Sequence, residues 1–177
     1  MYLISAYFDE NTSQELQRYI HNVANSCGND FMISNNVPPH LTLCAVEAKS
    51  VDVLIPGFES LKEEVYQDKI SIVTVGVFMP KVLYFAPYIN EYLFDLQRLI
   101  YNRFSGIPQT TVSPFYRPFS WFPHITVAKT LSKEQMTDAI NAVGNFRPMD
   151  SKIVRLGLAK VNPHMDVREI VLKKMES

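Results

Sequence analysis

Pro39-His40-Leu41-Thr42-Leu43 and Pro123-His124-Ile125-Thr126-Val127 follow one template, their histidines 84 positions apart. Side chains alternate across a strand, so positions two apart share a face. His40 and Thr42 therefore point one way while Leu41 and Leu43 point the other, toward a core. His124 with Thr126, against Ile125 and Val127, repeats the arrangement. With four histidines in the chain, a double match to this template is roughly a 10⁻⁵ event by composition. Pro163-His164-Met165-Asp166 is an internal control, because it has the Pro-His step and lacks the Thr. One such motif alone reads as a core histidine beside a strand threonine; the matched pair reads as an internal repeat that brings two imidazoles and two hydroxyls to one cleft.

The segments around the motifs support that repeat. Residues 2–8 read as a strand. A helix follows from about Thr12, where Thr12-x-x-Glu15 has capping-box spacing, to a stop at Gly28. Its apolar stripe is Leu16, Tyr19, Ile20, Val23, Ala24 and Cys27. The first motif lies on a strand at 40–46. A short helix with Phe58, Leu61 and Val65 precedes strands at 69–78 and 82–87, separated by Met79-Pro80-Lys81. After Asn90 a second long helix carries Tyr92, Leu93, Leu96, Leu99 and Ile100 on one face. A loop rich in Pro and aromatics, 106–122, leads to the second motif strand at 124–130. A helix opened by the capping box Ser132-x-x-Gln135 and closed by Gly144 comes next, then strands at 152–160 and 167–173 around a turn at Asn162-Pro163. The expected fold is α+β: one domain over 1–177, bilobed about a pseudo-two-fold axis, with antiparallel sheets lining a central cleft and helices packed outside.

Composition narrows the chemistry. The chain has 177 residues, 47% apolar and 20% charged, which is ordinary for a globular protein. Its 17 basic residues against 18 acidic ones give a net charge of −1. That argues against holding long nucleic acid by bulk electrostatics. No uncharged apolar run approaches the ~20 residues needed to cross a bilayer, and the start has the pattern of a strand rather than of a signal peptide. Cys27 and Cys44 lack CxxC spacing and read as reduced thiols, Cys27 as packing, in a cytoplasmic protein.

Two imidazoles and two hydroxyls suit phosphodiester chemistry. An imidazole pKa of ~6.5 lets one copy act as base and the other as acid near neutrality. Hydroxyls can hydrogen-bond the non-bridging phosphate oxygens as charge builds on a pentacoordinate centre. Zinc sites usually need three or more ligands, often at short spacing. The sequence has no HxH, HxxxH or CxxC, so neither a metal nor another cofactor is expected.

The paired His-x-Thr motifs resemble those of the two-histidine phosphoesterase superfamily, whose bacterial branch is named for 2′–5′ RNA ligase or RNA 2′,3′-cyclic phosphodiesterase. The resemblance extends over the opening strand, Val75-Gly76-Val77-Phe78 with Val82-Leu83-Tyr84-Phe85, the helix after it, and Phe122 to Lys129. It implies catalytic roles for His40, Thr42, His124 and Thr126. It also implies hydrolysis of 2′,3′-cyclic phosphate ends of RNA or nucleotides, with a 2′-phosphate product. Other family reactions, 2′–5′ ligation and 2′–5′ phosphodiester cleavage, remain open, as does a non-catalytic nucleotide-binding module.

Residues beside the motifs are candidates for substrate contact. Lys129 occupies a position where the family often has Arg or Lys, though strict alternation places it away from His124 unless a bulge or the strand end redirects it. Trp121 and Phe122, in an aromatic loop with one cation, could stack on a nucleobase. Tyr84 comes from the strand matching the cleft-lining region. His21 and His164 are expected at the surface.

Overall fold

The structure, a computed structural model, describes residues 1–161 and 164–174. The turn read at Asn162-Pro163 lies outside the described residues. In chain order the elements are β1 (Tyr2–Phe8), α1 (Glu10–Cys27), α2 (Phe31–Ser34), β2 (Leu41–Ala48), α3 (Ile55–Ser60), β3 (Asp68–Phe78), β4 (Val82–Pro87), α4 (Glu91–Ser105), β5 (Thr110–Val112), β6 (Ile125–Ala128), α5 (Lys133–Ala142), β7 (Met149–Lys160) and β8 (Met165–Val171). This is the expected α+β fold, built from antiparallel strand pairs. Among the described residues no helix is long and apolar enough to cross a membrane.

β7 joins the two lobes. Its first residues, Met149–Ile153, pair with β3, and Arg155–Lys160 pair with β8 on that same edge. The other edge is taken by β1 from Tyr2 to Phe8. The strands therefore form one hydrogen-bonded path, β5-β2-β1-β7-β3-β4-β6, with β8 as a branch. One lobe carries β2 and the first motif; the other carries β6 and the second.

The helices show why the sequence halves are not the lobes. α1 begins in the first half of the chain yet packs on α5 and β6, with Tyr19 edge-on to Phe85 of β4 at 5.0 Å. α4, from the second half, packs on β2 and β5. Each half thus covers the other lobe's strands, and each stripe of Leu, Ile, Val and aromatic side chains is buried there.

Local signals worked where they were chemically strong. Gly28 ends α1 at φ 69°, and Ser132 with Gln135 forms a complete capping box on α5. The cap of α1 is Asp9 rather than Thr12: its carboxylate accepts from the Thr12 N–H at 3.1 Å and from the Thr12 hydroxyl at 3.0 Å. Asp9 offers a charged acceptor one turn earlier, so the helix starts there. The aromatic loop holds a short strand, β5, that pairs with the end of β2. Both cysteines are free thiols, Cys44 buried and Cys27 packed at the core margin.

Candidate active site

His40 and His124 each sit one residue before their strands, where the backbone has not yet entered the ladder. This frees a carbonyl two residues back. His40 Nδ1 lies 2.8 Å from the Pro38 carbonyl, and His124 Nδ1 lies 2.9 Å from the Phe122 carbonyl. A carbonyl only accepts, so Nδ1 carries the hydrogen in both rings. Nε2 is then left with a lone pair in the neutral imidazole. The two motifs share this contact as well as their residues.

The threonines come next, Thr42 paired with Ser5 and Thr126 with Tyr84. In each pairing the register slips just after the threonine. Ile4 faces Cys44 while Ser5 faces Thr42, and Leu83 faces Ala128 while Tyr84 faces Thr126. One extra residue, Leu43 in β2 and Val127 in β6, is therefore bulged at the same place in both motifs. A bulge breaks the two-residue alternation, which brings Lys129 to the side of Thr126. Lys129 lines a cleft of about 170 Å³ together with His40, Thr42, Thr126 and His164. Its Nζ stands 4.5 Å from the centre of the Phe31 ring.

β5 pairs with β2 only at Val46–Ala48, and two side chains serve carbonyls of β2 before that stretch. Trp121 Nε1 donates to the Thr42 carbonyl at 3.0 Å, and Gln97 Nε2 reaches the Leu43 carbonyl at 3.4 Å and the Tyr116 carbonyl at 2.6 Å. Trp121 is only 7% exposed, so its indole braces the motif strand and offers one side to the neighbouring aromatic cavity. That cavity, about 350 Å³, is lined by Phe78, Phe115, Trp121, Phe122 and His124, among others. Phe122 is half exposed and faces it. Phe78 and Phe115 were missed by sequence reading because they lie far apart in the chain, and only the fold brings them together.

Tyrosines flank both imidazoles. Tyr84 lies 5.7 Å from His124 and Tyr7 lies 6.4 Å from His40, ring centre to ring centre. Each lies over a glycine of the adjacent strand. A Cβ at Gly76 would come within 2.4 Å of the Tyr84 ring, and one at Gly157 within 2.5 Å of the Tyr7 ring.

The electrostatics of the two histidines differ. Burial lowers His40 to about 4, despite the favourable Pro38 carbonyl, with His164, His124 and Lys129 adding repulsion. His124 is also lowered by burial, against the pull of the Phe122 carbonyl. Burial lowers Lys129 too. His164 was expected at the surface; its side chain is 10% exposed. It lines the cleft immediately before β8, and its ring and that of His40 are near-parallel with centres 6.5 Å apart. His21 is exposed on α1 as expected.

Cavity size alone does not locate this chemistry. A wider groove of about 450 Å³ between α4 and the start of β3 is lined by Glu64, Asp68, Asp95 and Arg98 and contains no imidazole. Among the described residues no group of three or more His, Cys, Asp or Glu is placed to hold a metal ion.

The sequence model of the 2′-5′ RNA ligase superfamily matches residues 9–164. Similar folds occur in solved structures. The crystal structure of E. coli LigT complexed with 3′-AMP aligns with TM-score 0.65 at 14% identity, covering 98% of each chain. That of TT0787 from Thermus thermophilus aligns with TM-score 0.65 at 14% identity, covering 99% of each. A structure described as a phosphoesterase gives TM-score 0.63 at 16% identity over 98% of each. No curated protein matches the chain in sequence.

Proposed function

The chain belongs to the 2′-5′ RNA ligase superfamily of two-histidine phosphoesterases, and on that premise we propose that it is a metal-independent phosphodiesterase opening 2′,3′-cyclic phosphate ends of RNA or nucleotides. The observation that carries this reading is the matched anchoring of both imidazoles. Each Nδ1 is held by the carbonyl two residues back, which leaves two Nε2 atoms for proton transfer. One takes a proton from water as its oxygen bonds to phosphorus. The other gives a proton to the 3′ oxygen as the P–O3′ bond breaks, leaving a 2′-phosphate.

Thr42 and Thr126 donate to the non-bridging oxygens, and Lys129 supplies positive charge in the same cleft. The aromatic cavity beside His124 suits a nucleobase, with Phe122 and Phe78 as stacking faces and Tyr84 holding the imidazole edge. A chain of net charge −1 suits a nucleotide or a short RNA end better than a long duplex.

The test is a product screen with 2′,3′-cyclic nucleotides, RNA bearing cyclic ends and 2′–5′-linked oligomers, each with and without EDTA. Cyclic ends should open to 2′-phosphates at a rate the chelator does not change. Activity lost to EDTA and restored by a divalent metal would overturn the mechanism. Action on 2′–5′ linkages alone would reassign the substrate, and tight binding without turnover would make the protein a binding module.

A further inference from the structure

Among the described residues, the second histidine of the cleft, His164, has no counterpart beside His124. His164 leads into β8, two residues before Asp166, and its Nε2 is buried 3.2 Å from the Asp166 carboxylate without a hydrogen bond in line. Its ring runs nearly parallel to His40 at 6.5 Å, and both line the cleft with Thr42, Thr126 and Lys129. His124 instead has aromatic neighbours. Phe78 lies 5.0 Å away and edge-on, with Tyr84 at 5.7 Å. The motifs are matched; their surroundings are not.

That difference has an electrostatic sense. A protonated His40 would face Lys129 and a protonated His164 across a small space, an arrangement that disfavours its charge. His124 has aromatic rings rather than a second imidazole and a lysine for neighbours. We propose that His164, with the Asp166 carboxylate beside it, is a positioning residue that acts through His40 and makes the two catalytic histidines unequal, so that His40 takes the proton of the attacking water and His124 protonates the leaving oxygen. This rests on the reading of the cleft as a phosphodiesterase site. The step balances: the water O–P bond forms as its proton passes to His40 Nε2, and the P–O3′ bond breaks as the His124 Nε2 proton passes to the leaving oxygen.

Other charged and titratable groups surround His40. β1 contributes Tyr7, whose phenol is raised well above its usual range by burial first and by Asp166 next. β7 contributes Arg155, stacked 4.7 Å over Tyr7 and paired with Glu169 of β8 at 3.1 Å. Arg155 and Glu169 largely offset one another. The end of β6 contributes Lys129, and the residue before β6 is His124. His164, with the Asp166 carboxylate 3.2 Å from its Nε2, is the ring that faces His40.

The experiment is an NMR titration of the imidazoles in substrate-free protein, for wild type, His164→Gln and His164→Lys, paired with pH profiles of kcat/KM on a 2′,3′-cyclic nucleotide. In wild type His40 should titrate below His124. His164→Gln should raise the His40 midpoint by about half a pH unit or more and leave His124 in place, while His164→Lys, which places a fixed cation there, should hold His40 low. The acid limb of kcat/KM should move up with the His40 midpoint while the alkaline limb stays. An unmoved His40 midpoint in His164→Gln would overturn the coupling, as would equal movement of both histidines. Movement of the alkaline limb instead would show that His40 is not the group that titrates lower and would overturn the proposal. If wild type turned over no cyclic phosphodiester, the phosphodiesterase reading would fall, and the titration would still decide whether His164 controls His40.

Discussion

At the scale of single residues, the roles of His40, Thr42, His124 and Thr126 lead to separable outcomes. Replacing either histidine with Ala should lower kcat by about 10²–10⁴-fold, the usual worth of a general acid or base. The double variant should lose far less than the product of the two effects, because the pair acts as a unit. Wild-type turnover in either single variant would exclude the mechanism. Thr42→Val and Thr126→Val keep the branched shape and remove the donor, so activity should fall while the melting temperature holds; Ser at either position should be much milder. The pH profile follows from burial. His40 lowered to about 4 places the acid limb, and His124, held below its ordinary 6.5, places the alkaline limb under that value. The maximum of kcat/KM should therefore lie between those limits, and a maximum above neutrality would contradict the described burial. These four residues were legible in the sequence because the motif repeats. His164 was not, because its place beside His40 is a long-range contact that no local pattern encodes.

At the scale of elements, the matched bulges after Thr42 and Thr126 explain both a success and a failure of sequence reading. Alternation put each His and Thr on one face; His40, Thr42 and Thr126 line the cleft, while His124 lines the aromatic cavity. It misplaced Lys129, because the extra Val127 shifts the parity beyond it. Helical periodicity found α1 and α4, yet it could not show that Gln97, polar and on the apolar side of α4, is buried to satisfy the bulged Leu43 carbonyl. Trp121→Phe keeps an aromatic ring and deletes the N–H that serves the Thr42 carbonyl, so it should cost about 1–3 kcal/mol in denaturant unfolding. Unchanged stability would mean that the carbonyl finds another partner. Gly76→Ala places a methyl where the Tyr84 ring lies. It should destabilise by about 1–3 kcal/mol and reduce turnover by displacing the tyrosine from His124; Tyr84→Ala in the same background should recover the stability but not the activity.

At the scale of the whole molecule, the α+β class follows from alternating signals, but the strand order and the exchange of helices between lobes do not. A stripe of apolar residues says that a helix is covered, not by which sheet. Because α1 covers the second lobe and α4 the first, neither half of the chain contains a complete core. Chains cut near residue 88 should each lack cooperative unfolding, and the intact protein should unfold in one transition seen equally by fluorescence and far-UV circular dichroism. A half that melted cooperatively alone would contradict this packing. The exchange also bears on how the chain must be assembled. β2 stays unroofed until α4 has been made, and α1 has no seat until β6 and α5 follow, so each half wears the other's armour and the two are finished together.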